Sequence, residues 1–209
     1  MNRLRARVFT AFLTGLVGAG LTFTTLLSAP LAQAEDSAIE AFKAKHETVV
    51  KLVKERASDD KIQAKVDGLL DYDWLAKAAL GGPDNFSKVC GERCDEFEEL
   101  LTKLIRENYL RMIRKAEKHP VEYVGQVAGR NGLYKVTTRV KIQKNGREQT
   151  VTVDYVMHKV DGTWHVRDII TDDVSLARTY QYEFNKIAKA EGIGGIISKL
   201  EEKLAKLGA

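Results

Sequence analysis

The chain has 209 residues, with 33 Lys and Arg against 29 Asp and Glu, and two cysteines. Three of the cations are Arg3, Arg5 and Arg7, so beyond the first 34 residues the balance falls to 30 against 29. A chain so near neutrality has little electrostatic reason to hold nucleic acid, and its scattered histidines show no zinc-ligand spacing.

Arg3, Arg5 and Arg7 precede a mildly apolar run, Val8 to Leu27, and Ala32-Gln33-Ala34 supplies a small-x-small triplet before Glu35. This order predicts an export signal over residues 1–34, cleaved near Ala34. A retained membrane anchor is the alternative, since about 20 residues can just span a bilayer. The interrupting Gly and Thr residues and the triplet favour removal, and no cysteine stands there to take a lipid. Residues 35–209 then form a single domain of an exported protein, long enough for its own core.

Ile39, Phe42, His46, Val49, Val50 and Val53 recur at helical spacing and predict an amphipathic helix over Asp36–Arg56. His46, on the apolar flank, reads as a partly buried structural histidine. Ser58 or Asp59 starts a second helix, with Ile62, Val66, Leu69 and Leu70 inward. Tyr72, Leu75, Ala76, Ala79 and Leu80 form one face of a short helix that Gly81-Gly82-Pro83 ends. Asp71 and Asp73 at its start read either as an acid–base carboxylate pair or as charges favouring the helix dipole. With no second catalytic group in view, the dipole is preferred.

Residues 83–94 are the least regular stretch and hold Cys90 and Cys94. In an oxidising compartment this spacing suggests a disulfide closing a tight loop, with free thiols as the alternative. From Asp95 a long helix carries Phe97, Leu100, Leu101, Leu104, Ile105, Asn108, Met112 and Ile113 on one stripe. Asp95 and Glu98 resemble a capping pair, and His119-Pro120 ends the run.

The period then changes to two. Val121-Tyr123-Val127, Tyr134-Val136-Thr138-Val140-Ile142 and Val151-Val153-Tyr155-Met157 each set apolar residues on one face. Asn131-Gly132, Asn145-Gly146 and Asp161-Gly162 mark hairpin turns between them. A fourth strand puts Trp164, Val166, Asp168 and Ile170 in phase. After a short acidic link, Ser175 caps a helix bearing Leu176, Tyr180, Phe184 and Ile187. Gly192, Gly194 and Gly195 break it, and Ile196, Ile197, Leu200, Leu204 and Leu207 mark a last packed helix rather than a membrane-surface one, because cations do not dominate it. The fold class is α+β: a four-stranded, or slightly larger, antiparallel sheet with helices on one face.

Asp168 is anomalous on an apolar face, because a buried carboxylate needs a partner. Tyr155 or a backbone amide could serve, and a β-bulge could instead turn it outward. A catalytic reading would pair it with a tyrosine as acid and base.

In these segments the chain resembles the MlaC-type periplasmic phospholipid-binding proteins, also called toluene-tolerance proteins. The resemblance is carried by Asp71-Tyr72-Asp73 with Ala79-Leu80-Gly81, by the helix from Phe97, and by Val153-Asp154-Tyr155. It continues through Trp164-x-Val166-x-Asp168-Ile169, Val174-Ser175-Leu176, Tyr180, Phe184 and Gly192-Ile193. It implies a curved sheet wrapped by helices around an apolar pocket for phospholipid acyl chains, with no catalysis and no cofactor beyond the lipid cargo. It also implies periplasmic shuttling between an outer-membrane lipoprotein–porin complex and an inner-membrane ABC transporter with an MCE-domain ring, in maintenance of outer-membrane lipid asymmetry.

The candidate lining is Tyr123, Val140, Val151, Val153, Tyr155, Trp164, Val166 and Ile170 from strands, with Leu101, Ile105, Leu176, Tyr180 and Phe184 from helices. Periodicity by itself reads the same residues as filled core; the resemblance reads them as a cavity wall. Two departures stand out, the cysteine-bearing segment 83–94 and Thr179, where the family commonly has asparagine. Three other functions are weighed beside this one: carriage of another apolar lipid such as a hopanoid, an isomerase or hydrolase using Asp168, and an adaptor with a filled interior.

Overall fold

A computed structural model of the protein describes residues 37–208 apart from Asn145, so the expected signal and its cleavage near Ala34 lie outside the described residues. Helices come first and last, with the sheet between them. The helices are α1 (Ala38–Lys54), α2 (Asp59–Asp67), α3 (Tyr72–Ala79), α4 (Pro83–Cys90), α5 (Cys94–Ala116) and α6 (Leu176–Gly208). The strands are β1 (Val121–Ala128), β2 (Tyr134–Lys144), β3 (Arg147–Val160), β4 (Thr163–Thr171) and β5 (Val174–Ser175), antiparallel in the order β1-β2-β3-β4-β5.

The turns explain the meander. Asn131-Gly132 and Asp161-Gly162 have positive φ at both residues, as tight primed hairpin turns require. Gly146 also has positive φ. The acidic link proves to be a further turn of this kind: Asp172 and Asp173 both have positive φ, and Thr171 pairs with Val174 across them. Aspartate tolerates this region better than most residues. A fifth, two-residue strand therefore joins the four expected.

Two bulges decide which side chains reach the interior. The β1–β2 register shifts between Tyr123 and Gly125, and Val127, expected beside Val121 and Tyr123, is 63% exposed. In β4, Val166 pairs with Met157 and Asp168 with Val156, so Arg167 is the extra residue. One inserted residue moves everything after it to the other face. Ile169 therefore shares the inner face with Tyr155, while Ile170 pairs with Asp154 on the outer face. The expected place of Ile170 in the interior is thus corrected.

The same bulge settles Asp168. Its Oδ1 accepts from the Ile169 and Ala177 amides at 2.9 and 3.0 Å, and its Oδ2 accepts from the Ser175 hydroxyl at 2.6 Å. Ser175 Oγ in turn accepts from the Arg178 amide at 3.1 Å. The pair caps the start of α6, where orphan amides and the helix dipole favour a carboxylate.

The free edge of β4 is covered before the bulge by Leu69–Asp71, through Val166 N to Leu69 O and Asp71 N to Val166 O, each 2.8 Å. Beyond it, β5 takes over.

Residues 83–94 are more regular than expected. Pro83 opens α4, Phe86 and Cys90 face inward four residues apart, and Gly91, at positive φ, ends it. The Cys90 and Cys94 sulfurs lie at bonding distance, with Cα atoms 4.8 Å apart. α6 is interrupted at Gly192 (φ 64°, ψ −162°), within the predicted glycine break. Phe97, Leu101, Leu104 and Leu110 of α5 are buried in the shared core with Phe42, Phe184 and Leu200.

Candidate functional site

The inner face of the sheet is not uniform. Towards one end it carries Tyr134, Met157 and Trp164, whose bulk fills the space beneath the helices; Tyr134 and Trp164 meet edge to face at 5.4 Å. Towards the other end it carries Thr138, Val140, Val151, Val153 and Thr171, which are short and β-branched. The C-terminal half of α5 lies across this end, and short side chains leave a gap there.

That gap is a cavity of about 420 Å³, bounded by Thr138, Val140, Ile142, Val151, Val153, Tyr155 and Thr171 from the sheet, with Val121. α5 contributes Asn108, Arg111, Met112, Ile113, Lys115 and Ala116, and α1 contributes His46. A second cavity of about 260 Å³ adjoins it, sharing Asn108, Met112 and Thr171. Ile105, Tyr109, Ile169, Val174, Leu176, Thr179 and Tyr180 complete its wall. The larger volume alone falls within the usual range for small-molecule sites. Asn108, Arg111 and Lys115 are exposed, so the mouth runs along one side of α5.

The wall is apolar and electrically neutral within. His46 Nδ1 lies 2.8 Å from the Tyr123 hydroxyl, and burial pulls the imidazole pKa down to about 4. The Thr138 hydroxyl donates to Val153 O at 3.2 Å. Burial pushes the ionisation of Tyr155 upward and that of Tyr180 to about 12, so both stay protonated. The buried Tyr109 hydroxyl has no hydrogen-bond partner among the described residues.

Seven of the residues expected from sequence bound these spaces. Val140, Val151, Val153 and Tyr155 line the larger cavity; Ile105, Leu176 and Tyr180 line the smaller. The others do not. Leu101 is fully buried in helix packing, and the Phe184 ring meets Phe97 edge-on at 5.7 Å. Val166 is core beside the covered sheet edge, Trp164 lies at the filled end, and Ile170 is on the outer face. Tyr123 stands behind the wall, holding His46.

Met112 and Ile113 lie on the apolar stripe expected of α5 but outside the candidate lining, which took only Leu101 and Ile105 from that helix. Thr138 is in phase with Tyr134 and Val140 in the second-strand pattern, Thr171 carries no apolar signal, and Ile169 is hidden by the bulge. His46 is both a buried, hydrogen-bonded histidine and part of the wall.

Among the described residues, neither acid–base pairing weighed from the sequence forms, Asp168 with Tyr155 or Asp71 with Asp73. Asp168 is engaged as a cap on the outer side of the sheet, away from Tyr155. Asp71 accepts the Trp74 amide at 3.0 Å and lies 2.6 Å from His158 Nε2, whereas Asp73 pairs with Lys77. Among the described residues, no three His, Cys, Asp or Glu side chains gather as a metal-binding group. No residue of the 83–94 segment lines either cavity.

Comparison with curated proteins finds no match. Among solved structures, the chain is similar to a phospholipid-binding protein from Ralstonia solanacearum, determined in complex with a phospholipid, at 23% identity and a TM-score of 0.65. The alignment covers 83% of this chain and 99% of that one, and shows a common fold. The family described as MlaC protein matches residues 33–202, and the chain belongs to that family.

Proposed function

We propose that the protein is a periplasmic phospholipid carrier, holding acyl chains between α5 and the small-residue end of the sheet and performing no catalysis. The observation that carries this reading is the pair of adjoining apolar cavities opening along α5. Two acyl chains hold roughly thirty methylenes, so exposing them to water costs on the order of 24 kcal/mol at about 0.8 kcal/mol each. A carrier crossing an aqueous compartment must enclose most of that surface, and a sheet lined with Val and Thr beneath a helix is a way to do so. Family membership and the phospholipid bound by the Ralstonia relative support the same reading. In this proposal residues 1–34 direct export and are removed. The loaded domain exchanges lipid with an outer-membrane lipoprotein–porin complex and an inner-membrane ABC transporter bearing an MCE-domain ring.

Native mass spectrometry of the protein recovered from the periplasm, with lipid extraction of the same sample, tests the reading. The expected result is a stoichiometric phospholipid. Bare protein that stays lipid-free after incubation with phospholipid vesicles would overturn it, and a stoichiometric non-phospholipid mass would replace the cargo.

A further inference from the structure

We infer that Arg111 and Lys115 clamp the headgroup at the cavity mouth and select phospholipids whose headgroup carries net negative charge; this rests on the carrier reading above. Both residues line the larger cavity and both are exposed, so they stand where its wall meets water. They are four residues apart on α5 and therefore share a helix face. Arg111 Nη2 donates to Leu207 O at 3.1 Å, which holds the guanidinium against the end of α6. Its remaining N–H groups have no acceptor among the described residues.

The sign of the site is one-sided. Among the described residues, no Asp or Glu lines either cavity. Asp172, Asp173 and Glu117 lie close in sequence to lining residues and yet belong to neither wall.

A lipid whose tails occupy an apolar cavity must leave its phosphodiester at the opening. There a guanidinium offers paired donors and an ammonium a point charge, the chemistry that binds phosphate oxygens. A zwitterionic headgroup adds its own ammonium beside two cations and finds no carboxylate lining the mouth. A glycerol-type headgroup adds no positive charge and leaves the phosphate charge to the clamp.

The test loads the purified protein from vesicles containing equal amounts of phosphatidylglycerol and phosphatidylethanolamine with identical acyl chains. Mixing both lipids in one vesicle removes any effect of overall vesicle charge. The bound lipids are then extracted and their ratio and total measured. Enrichment of phosphatidylglycerol by about fivefold is expected, the scale of two partly exposed cation contacts. The Arg111→Gln, Lys115→Gln double variant should return the bound ratio to that of the vesicle, whereas Arg111→Lys should keep most of the preference.

Equal uptake by the unaltered protein, or a preference that survives the double substitution, would overturn the clamp. Saturable binding of inorganic phosphate to the lipid-free protein, lost in the double variant while the lipid ratio stays even, would assign these cations to a free anion instead and also overturn it. Absence of any bound lipid would remove the carrier reading and the clamp together, and total lipid per protein separates that outcome from a mere loss of preference.

Discussion

Asp168 accepts three hydrogen bonds while almost out of water, and it ties the end of β4 to the start of α6. Asparagine keeps an acceptor but loses the charge that favours the helix N-terminus and the Ser175 hydroxyl. Asp168→Asn should therefore lower unfolding free energy by about 2 kcal/mol, within the range for hydrogen bonds to a charged group, as read by urea denaturation. Lipid held per folded molecule should be unchanged; a loss of cargo at full stability would show a ligand role instead.

His46 gives the molecule a pH dependence with a definite sign. Burial lowers its pKa from 6.5 to about 4, so the unfolded chain takes the proton first as pH falls. Its contribution is fully present above about 6.5 and is lost progressively down to about 4, amounting to about 3 kcal/mol across that window. Urea midpoints at pH 7.5 and 4.5 should show this decline, and His46→Gln should flatten it.

Single inserted residues act at the scale of the strand. The register break after Tyr123 places Val127 in water, and Arg167 sends Ile169 inward and Ile170 outward. Val127→Lys is then expected to stay within about 0.5 kcal/mol of the parent in thermal unfolding. Ile169→Lys should cost several kcal/mol or prevent folding, because it sets a charge against an apolar wall. If the two substitutions cost the same, the register described for β4 is wrong.

The α4–α5 junction is a second case at this scale. Closing a loop of about five residues stabilises by about 2 kcal/mol in the chain-entropy account. Cys90→Ser with Cys94→Ser should cost about that much in denaturant, and lipid load should persist, since neither residue lines a cavity.

For the whole molecule, the working feature is space left unfilled. Met112 faces both cavities, so Met112→Trp should fill the boundary between them. Lipid per protein is expected to fall at least tenfold by extraction, with stability unchanged or raised as the void closes. Undiminished load would place the acyl chains elsewhere.

Hydrophobic period, turn pairs and breaks in the chain determined the elements. Three- and four-residue spacing located α1, α2, α3, α5 and α6, period two located four strands, and Gly192 ended a helix as its φ demands. These signals are local, so the sequence carries them directly. α4 escaped because eight residues with two inward apolar positions make a weak pattern, and β5 because two residues make none. Whether Val140 and Val153 were core or wall was not a local property. Both answers require the same apolar alternation, and the difference lies in whether α5, arriving from elsewhere in the chain, brings enough volume to fill the space above them. The same holds for Asp168, whose partners are amides and a hydroxyl up to nine residues away, brought together by one bulge and a turn. Only tertiary packing decides which apolar faces close on each other and which stay apart.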